Sequence, residues 1–564
     1  MAATQPAAES SLIAGDTEVA QSESRYKLAC IAVILIGVVI NLLYVLVRCP
    51  LDLSGDEAHY WDWSRHLDIS YYSKGPLVAC IIASGRWLTE LLAPNASIDP
   101  AAVVRMPAIL LSVLTSVGVV ALSREIGLSW RGALVALLVC ASTPMFTVGA
   151  VLMTIDAPFL CAWIWAHVFV VKAIRGNHDL GWWIGTALLV AVGILAKYTM
   201  VLLYLVIGVA ILSRADLRRR LLTRTSVIAG VIGLAGLAPI VLWNAAHQWV
   251  SFRHVAGQAG VSDGAGFQLR GPIEFLAAQF GVSNPIWVAI LVTLIVWALM
   301  RKSGACAGTG VAHSFVTIST LVVFCVFLGF SFVTKVQPNW PAPAILTGAV
   351  LIAYWIVGVP RNTIAQRRVR TLATVGVALG FLISGVGRRT DLLAPVFSRL
   401  AVGAPPWELT PAAKYDPAAR LRGWRELGAA VGDVIGLLES DGRRPIVLTD
   451  DYQVASEIAF YTPGRPDVYC LQSVLGDRLC QYDFWENPID NADRFIGRAC
   501  LYVGTFPSES SDKGAMLREA MPDLRVMRTI EYRVGDVPFQ VWTLFVSDAY
   551  QGVTRNTSAR ETHY

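Results

Sequence analysis

Gly55-Asp56-Glu57-Ala58-His59-Tyr60-Trp61-Asp62-Trp63-Ser64, then Tyr71-Tyr72-Ser73-Lys74-Gly75-Pro76, follow closely on an apolar run from Leu28 to Val47. A run of about 20 residues is long enough to cross a bilayer. Carboxylates and amphipathic aromatics therefore stand just outside a first membrane segment. Paired acids offer a base for a hydroxyl, tyrosines such as Tyr60 and Tyr72 offer platforms for sugar rings, and Lys74 offers a cation for a phosphate. These are the groups that handling of a lipid-linked sugar at a membrane surface requires.

The composition supports a membrane protein. Of 564 residues 55% are hydrophobic and 15% charged, against about 25% charged in ordinary soluble domains, and mean hydropathy is +0.54. The net charge of +5 does not point to nucleic acid, because most basic residues lie in short loops between apolar runs, where they set orientation. Ten cysteines contain no Cys-x-x-Cys pair, and Cys30, Cys80, Cys140, Cys161, Cys306 and Cys325 sit in or beside apolar runs as small hydrophobes. Cys470, Cys480 and Cys500 lie in a polar region, where an oxidising compartment could pair two of them.

Apolar runs recur near 28–47, 101–123, 132–150, 157–173, 182–196, 198–213, 226–243, 285–300, 313–333, 341–359 and 371–387. They predict an α-helical polytopic membrane protein of about 11 transmembrane helices. Arg124 and Arg131, Lys172 and Arg175, the arginines from Arg214 to Arg224, Arg301 and Lys302, and Arg361 to Arg370 fall in alternate loops. With the N-terminus inside, all lie on one side, as the positive-inside rule expects. That parity puts the Asp56 loop (48–100), the 244–284 loop and residues 388–564 on the outer face. Residues 1–26, polar and rich in Ala, Ser and Glu, read as a disordered cytoplasmic N-terminus, and 27–387 as the membrane domain. From 388 charges return, and short apolar strands alternate with amphipathic stretches at 415–439 and 453–461. This predicts a C-terminal soluble α/β domain, ending in a hairpin over Arg528–Val546 that turns at Gly535-Asp536.

Adjacent acids on a helix point about 100° apart, so of Asp56 and Glu57 one would work and the other support. Trp61 and Trp63 fit either a partly desolvated site or an interfacial aromatic belt. Asp156, in Thr154-Ile155-Asp156-Ala157-Pro158, reads as a second outer-face acid or as a helix N-cap before proline. Lys74 would meet a lipid phosphate or snorkel to solvent. Lys197 is an isolated cation in an apolar stretch and marks an outer hairpin; Arg253 could pair with phosphate or lie on the surface. Lys335-Val336-Gln337-Pro338-Asn339-Trp340-Pro341 is a proline-rich break at the end of a span, tolerated beside protein or water, which makes Asn339 and Trp340 candidates for a wall of the site. Asp56, Glu57, His59 and Asp156 could ligate a divalent metal, though their spacing is not diagnostic. No Walker loop, dinucleotide turn or His-Glu-x-x-His is present.

The 55–79 segment resembles the first outer loop of bacterial membrane glycosyltransferases of the dolichyl-phosphate-mannose–protein mannosyltransferase superfamily. The likeness extends to Thr154–Pro158, Leu195–Thr199, Asn339–Pro343 and the stretch Tyr452-Gln453-Val454-Ala455-Ser456-Glu457-Ile458-Ala459-Phe460-Tyr461. What the resemblance implies is a GT-C fold and transfer, with inversion, of a sugar from a polyprenyl-phosphate donor to a lipid, glycan or protein acceptor on the periplasmic face of the inner membrane. By position it implies Asp56 as the general base, Asp156 as a second outer-loop acid and Lys74 as a donor-phosphate ligand. In the lipid A transferase pattern a glutamate precedes that lysine; this chain has Ser73, which puts the same metal ligand and the same substrate in doubt. The alternative is a transporter or flippase of a lipid-linked substrate. Transporters place polar groups at the midplane between repeats, whereas here acids and aromatics gather on one face and no repeat is visible.

Overall fold

A computed structural model describes residues 6–176, 180–258, 266–300, 310–360, 363–400, 416–504, 512–535 and 537–553. Cys306, Arg301, Lys302, Arg361 and Asp536 lie outside the described residues. Among the described residues six helices are long and apolar enough to cross a membrane: Ala20–Val47, Pro100–Glu125, Asp156–Arg175, Arg224–Ala246, Val311–Phe330 and Ile364–Arg388. Five further apolar helices, Trp130–Ala141, Leu180–Ala196, Tyr198–Ser213, Pro285–Met300 and Ala342–Gly358, fall short of that length. The run read as 132–150 is interrupted, because Pro144 disfavours helix at the residue before it, and a separate helix, Pro144–Gly149, follows. The N-terminus departs from expectation: from Pro6 the chain is helical, continuous with the first span to Leu43. Alanine and glutamate, read as signs of disorder, are also strong helix formers and extend a helix that the span has nucleated.

The chain divides into two compact units. The first comprises residues 1–45, 108–238 and 265–385 and holds most of the apolar helices. Its helix breaks are closed by buried side chains: Asn284, at φ 74°, donates through Nδ2 to the carbonyls of Ser142 (3.1 Å) and Gly376 (2.8 Å). The second comprises 46–107, 239–264 and 386–564. This differs from a division at 387/388, because the C-terminal region clusters with the 48–100 loop instead of standing by itself.

Within the second unit, β1 (Ile446–Thr449), β2 (Val468–Cys470), β3 (Cys500–Gly504), β4 (Arg525–Val534) and β5 (Val537–Ser547) form one mixed sheet in the order β2-β1-β3-β5-β4. β1 is parallel to both neighbours, and β4 and β5 are antiparallel with Val534 opposite Val537, so the expected hairpin is present. Buried Leu448, Cys500, Tyr502, Leu517 and Phe545 contribute to a core on this sheet. Cys470, Cys480 and Cys500 are buried and free. Burial and the neighbouring Cys470 push the Cys480 thiol well above its usual range.

Four helices of this unit matter for the site: α1 (Gly55–Trp63), α2 (Val250–Gln258), α3 (Trp424–Ser440) and α4 (Tyr452–Tyr461). α1 and α4 pack closely because Gly55 carries no side chain; a Cβ there would lie 2.6 Å from Cβ of Gln453. Gly55→Ala is expected to force the helices apart and destabilise the protein by about 1–3 kcal/mol, the range for overpacking. Thermal unfolding of the purified variant measures this, and an unchanged midpoint would refute the close approach.

Candidate active site

The acidic loop is built on one buried ion pair. Ser54 caps α1: its Oγ accepts from Glu57 N (3.3 Å) while Glu57 Oε2 accepts from Ser54 N (3.0 Å), a capping box. The same carboxylate receives Arg105 in a two-point grip, Nε to Oε1 and Nη2 to Oε2, both 3.0 Å. Arg105 also donates to the carbonyls of Leu51 (3.0 Å) and Asp52 (2.6 Å) and to Cys49 Sγ (3.1 Å). Glu57 is 0% and Arg105 2% exposed. A carboxylate so enclosed cannot reach an external hydroxyl, which makes Glu57 the supporting acid of the pair. Asp56, one residue earlier on α1, is exposed. Gln453 Nε2 lies 3.4 Å from its Oδ1 and 3.2 Å from the Tyr452 hydroxyl.

The aromatics of α1 face inward. Trp61 and Trp63 are 1% and 0% exposed, which excludes an interfacial belt, and Tyr60, also buried, meets Trp63 edge to face. Tyr60 is therefore packing, not an open platform for a sugar. Trp63 Nε1 donates to His59 Nε2 (3.1 Å), so the ring proton sits on Nδ1, 2.9 Å from Ser456 Oγ. Burial, with Arg478 adding repulsion, lowers the His59 pKa to about 3; the ring is a neutral connector between α1 and α4. Tyr482 continues the network by donating to Asp62 Oδ2 at 2.7 Å.

Beyond α1 the loop is fastened from two sides. The Tyr72 amide donates to Gln481 Oε1 (2.7 Å), and its hydroxyl lies 3.2 Å from Nδ1 of His254 on α2. Trp243 Nε1 donates to Asp68 Oδ2 (2.8 Å). Burial, then the positive charges of Lys74 and Arg478, lower the His254 pKa to about 3. The charges of Lys74 and Arg478 thus both act on the histidine that meets Tyr72. Arg253, by contrast, is exposed and donates to the Gln248 carbonyl (2.8 Å); it is His254 that points inward.

A second constellation lies in the first unit. Lys197 Nζ pairs with Asp156 Oδ1 at 2.7 Å, and Asn339 Nδ2 donates to Asp156 Oδ2 at 2.6 Å. Three predicted residues from three separate sequence segments thus share one carboxylate. Asp156 opens its helix without capping it, so the N-cap alternative fails. Lys197, in extended backbone between Ala196 and Tyr198, also lies over the Phe159 ring. Trp340 packs against Phe327, 5.9 Å between centroids.

Arg105, Gln453, Glu457, His254 and Arg478 were not assigned roles from the sequence. Arg105 carried a signal, a lone arginine in Ala102-Val103-Val104-Arg105-Met106-Pro107, because a charge in an apolar helix needs a partner. Of the residues that could ligate a metal, Glu57 is held by Arg105 and His59 by Trp63 and Ser456, and among the described residues no group of three His, Cys, Asp or Glu is placed to hold an ion. Glu457 is 0% exposed, and neither carboxyl oxygen has a hydrogen-bond partner among the described residues. Burial and the nearby Asp52 and Glu57 raise its pKa well above the ordinary value, against the pull of Arg105, so it is held as the neutral acid.

The family described as dolichyl-phosphate-mannose-protein mannosyltransferase matches residues 84–243. Lipid A galacturonosyltransferase RgtD of Rhizobium johnstonii is 30% identical over 334 residues, 57% of this chain; the chain spans 65% of that relative's length. Crystal structures of ArnT from Cupriavidus metallidurans, in the apo state and bound to undecaprenyl phosphate, superpose with TM-scores of 0.57 and 0.58 at 15% and 17% identity, each covering 93% of this chain and 98% of theirs. The chain shares the fold of these ArnT structures over 93% of its length. Asp56, Asp156 and Lys74 are the residues on which the sequence resemblance rested, and the geometry separates the exposed Asp56 from the buried Glu57.

The neutral state of Glu457 has a pH signature. Between the ordinary value of 4.5 and the raised folded-state value, the folded chain keeps a proton that the unfolded chain has released. Stability therefore falls as pH rises through this window, by up to about 1.4 kcal/mol per unit. Glu457→Gln removes that dependence and is expected to be more stable than wild type at pH 8, with the difference shrinking toward pH 5. Thermal unfolding across this range checks it; parallel curves would show that Glu457 is not held neutral.

Proposed function

We propose that the protein transfers a sugar from a polyprenyl-phosphate donor to an acceptor hydroxyl of an envelope lipid, glycan or protein, with inversion, at the periplasmic face of the inner membrane. The observation that carries this reading is the exposed Asp56 on a helix whose neighbouring acid is locked by Arg105. Asp56 takes the proton of the acceptor hydroxyl as its oxygen bonds to the anomeric carbon. The bond from that carbon to the phosphate oxygen breaks, and the polyprenyl phosphate leaves with the electron pair, its charge met by Lys74. Asp156, held by Lys197 and Asn339, is a second candidate acid. The relatives are named as transferases, which favours group transfer over transport. The galacturonosyl transfer to lipid A in the name of one relative makes an acidic sugar and a lipid A-like acceptor the first pair to test.

Asp56→Asn is nearly isosteric, is expected to fold and insert as wild type, and should lower transfer at least about 100-fold, the scale of a lost general base. Turnover of purified variant and wild type with a polyprenyl-phosphate sugar decides it: near-normal activity would remove Asp56 as the base. The orientation is tested separately. An alkaline phosphatase fused after residue 553 should be active in intact cells, and an inactive fusion with a fluorescent cytoplasmic reporter at the same point would reverse the topology.

A further inference from the structure

Arg478 is a half-buried cation without an acid. Its guanidinium lies over the Tyr452 ring, 5.8 Å from the centroid, and makes no hydrogen bond or ion pair among the described residues. Its backbone is nevertheless fixed. Gln472, 2% exposed, accepts from Tyr452 N through Oε1 (3.1 Å) and donates through Nε2 to the Arg478 carbonyl (3.3 Å). One buried amide thus ties Arg478 to the start of α4. The Tyr452 hydroxyl in turn shares Gln453 Nε2 with Asp56, and Tyr452 feels the charges of both Asp56 and Arg478. On its other side Arg478 acts on His254, which also feels Lys74 and meets the Tyr72 hydroxyl.

Arg478 therefore stands on the Tyr452 ring, whose hydroxyl shares one amide with the proposed base, and both it and Lys74 act on the neutral His254. A sugar esterified to a polyprenyl phosphate carries one negative charge at that phosphate, and one ammonium answers it. With a neutral sugar the guanidinium would stay partly desolvated and uncompensated. A planar fork is matched by a carboxylate, which it binds through two parallel hydrogen bonds.

We propose that Arg478 reads the carboxylate of an acidic sugar, a hexuronic acid, on the polyprenyl-phosphate donor, with Lys74 on the phosphate. This rests on the transferase reading above and names the residue that selects the acidic sugar.

The test uses the full-length purified protein with a polyprenyl-phosphate uronic acid and the matching neutral hexose. The ratio of kcat/KM for the acidic over the neutral donor is expected to fall roughly 10- to 100-fold in Arg478→Gln, the size of a lost charge-assisted contact. Arg478→Lys, which keeps the charge but loses the fork, should fall between, and covers the case in which the Gln variant does not fold. Binding of sugar-free polyprenyl phosphate should weaken in Lys74→Met far more than in Arg478→Gln. An unchanged ratio in both Arg478 variants overturns the proposal. So does an effect confined to the acceptor KM, which would assign the anion to the acceptor. Wild-type protein that transfers neither sugar would instead overturn the transferase reading, and the inference with it.

Discussion

The pairing of Glu57 with Arg105 sets the rest of the site. Both charges are out of water, a costly condition met only when every donor and acceptor has a partner. Arg105 meets it by using its guanidinium on one carboxylate, two backbone carbonyls and a thiol. The grip fixes residues 49–57 relative to the helix that carries Arg105, and α1 leaves that point in one direction only. Asp56 therefore faces outward by helix geometry, with Gln453 Nε2 3.4 Å from its Oδ1. The same saturation explains Glu457. With no N–H of Arg105 left for it and two other carboxylates nearby, it is stable only as the neutral acid.

The C-terminal region supplies the floor under this loop. Leu53 N donates to the Tyr461 hydroxyl (2.7 Å), His59 meets Ser456, and Gln453 reaches Asp56. At the other end Asp52 accepts from Trp424 N and Arg425 Nε, both 2.9 Å, at the start of α3; it joins the loop to a helix N-terminus, where a carboxylate is favoured. These bonds span nearly 400 residues of sequence. They make the α/β region part of the machinery that holds the proposed base, and give a physical reason for its clustering with residues 46–107.

How far the sequence was legible follows from the range of each signal. Apolar runs, the terminal hairpin and the strands at 446–449 and 500–504 are local patterns, set by hydropathy period and turn residues, and they could be read directly. Asp56, Asp156 and Lys74 stood out because charge beside a membrane span is expensive. The gathering of Asp156, Lys197 and Asn339 on one carboxylate was not legible, and the three read separately as an outer-face acid or cap, a hairpin marker and a wall residue, since pairing across 183 residues leaves no periodic trace. Roles misread from the sequence share a cause. Tyr60, Trp61 and Trp63 have the composition of an interface, and only the packing against Phe460, Tyr71 and His59 shows that they are interior. Arg253 and His254 are adjacent, and which one turns inward depends on the phase of α2.

Burial sorts the charges of the second unit. His59, His254 and Glu457 lie where an ion would be poorly solvated, and each is driven to its neutral form. Neutral groups of this kind link elements by hydrogen bonds or packing without creating competing fields. Asp56 is exposed and Arg478 half-buried. In the proposed reaction Lys74 and Arg478 would attract an anionic donor, while Asp56 would take the proton of the acceptor hydroxyl. If His254 were instead protonated, its charge would be repelled by Lys74 and Arg478 and poorly solvated as well. Its low proton affinity comes first from burial and then from these two cations.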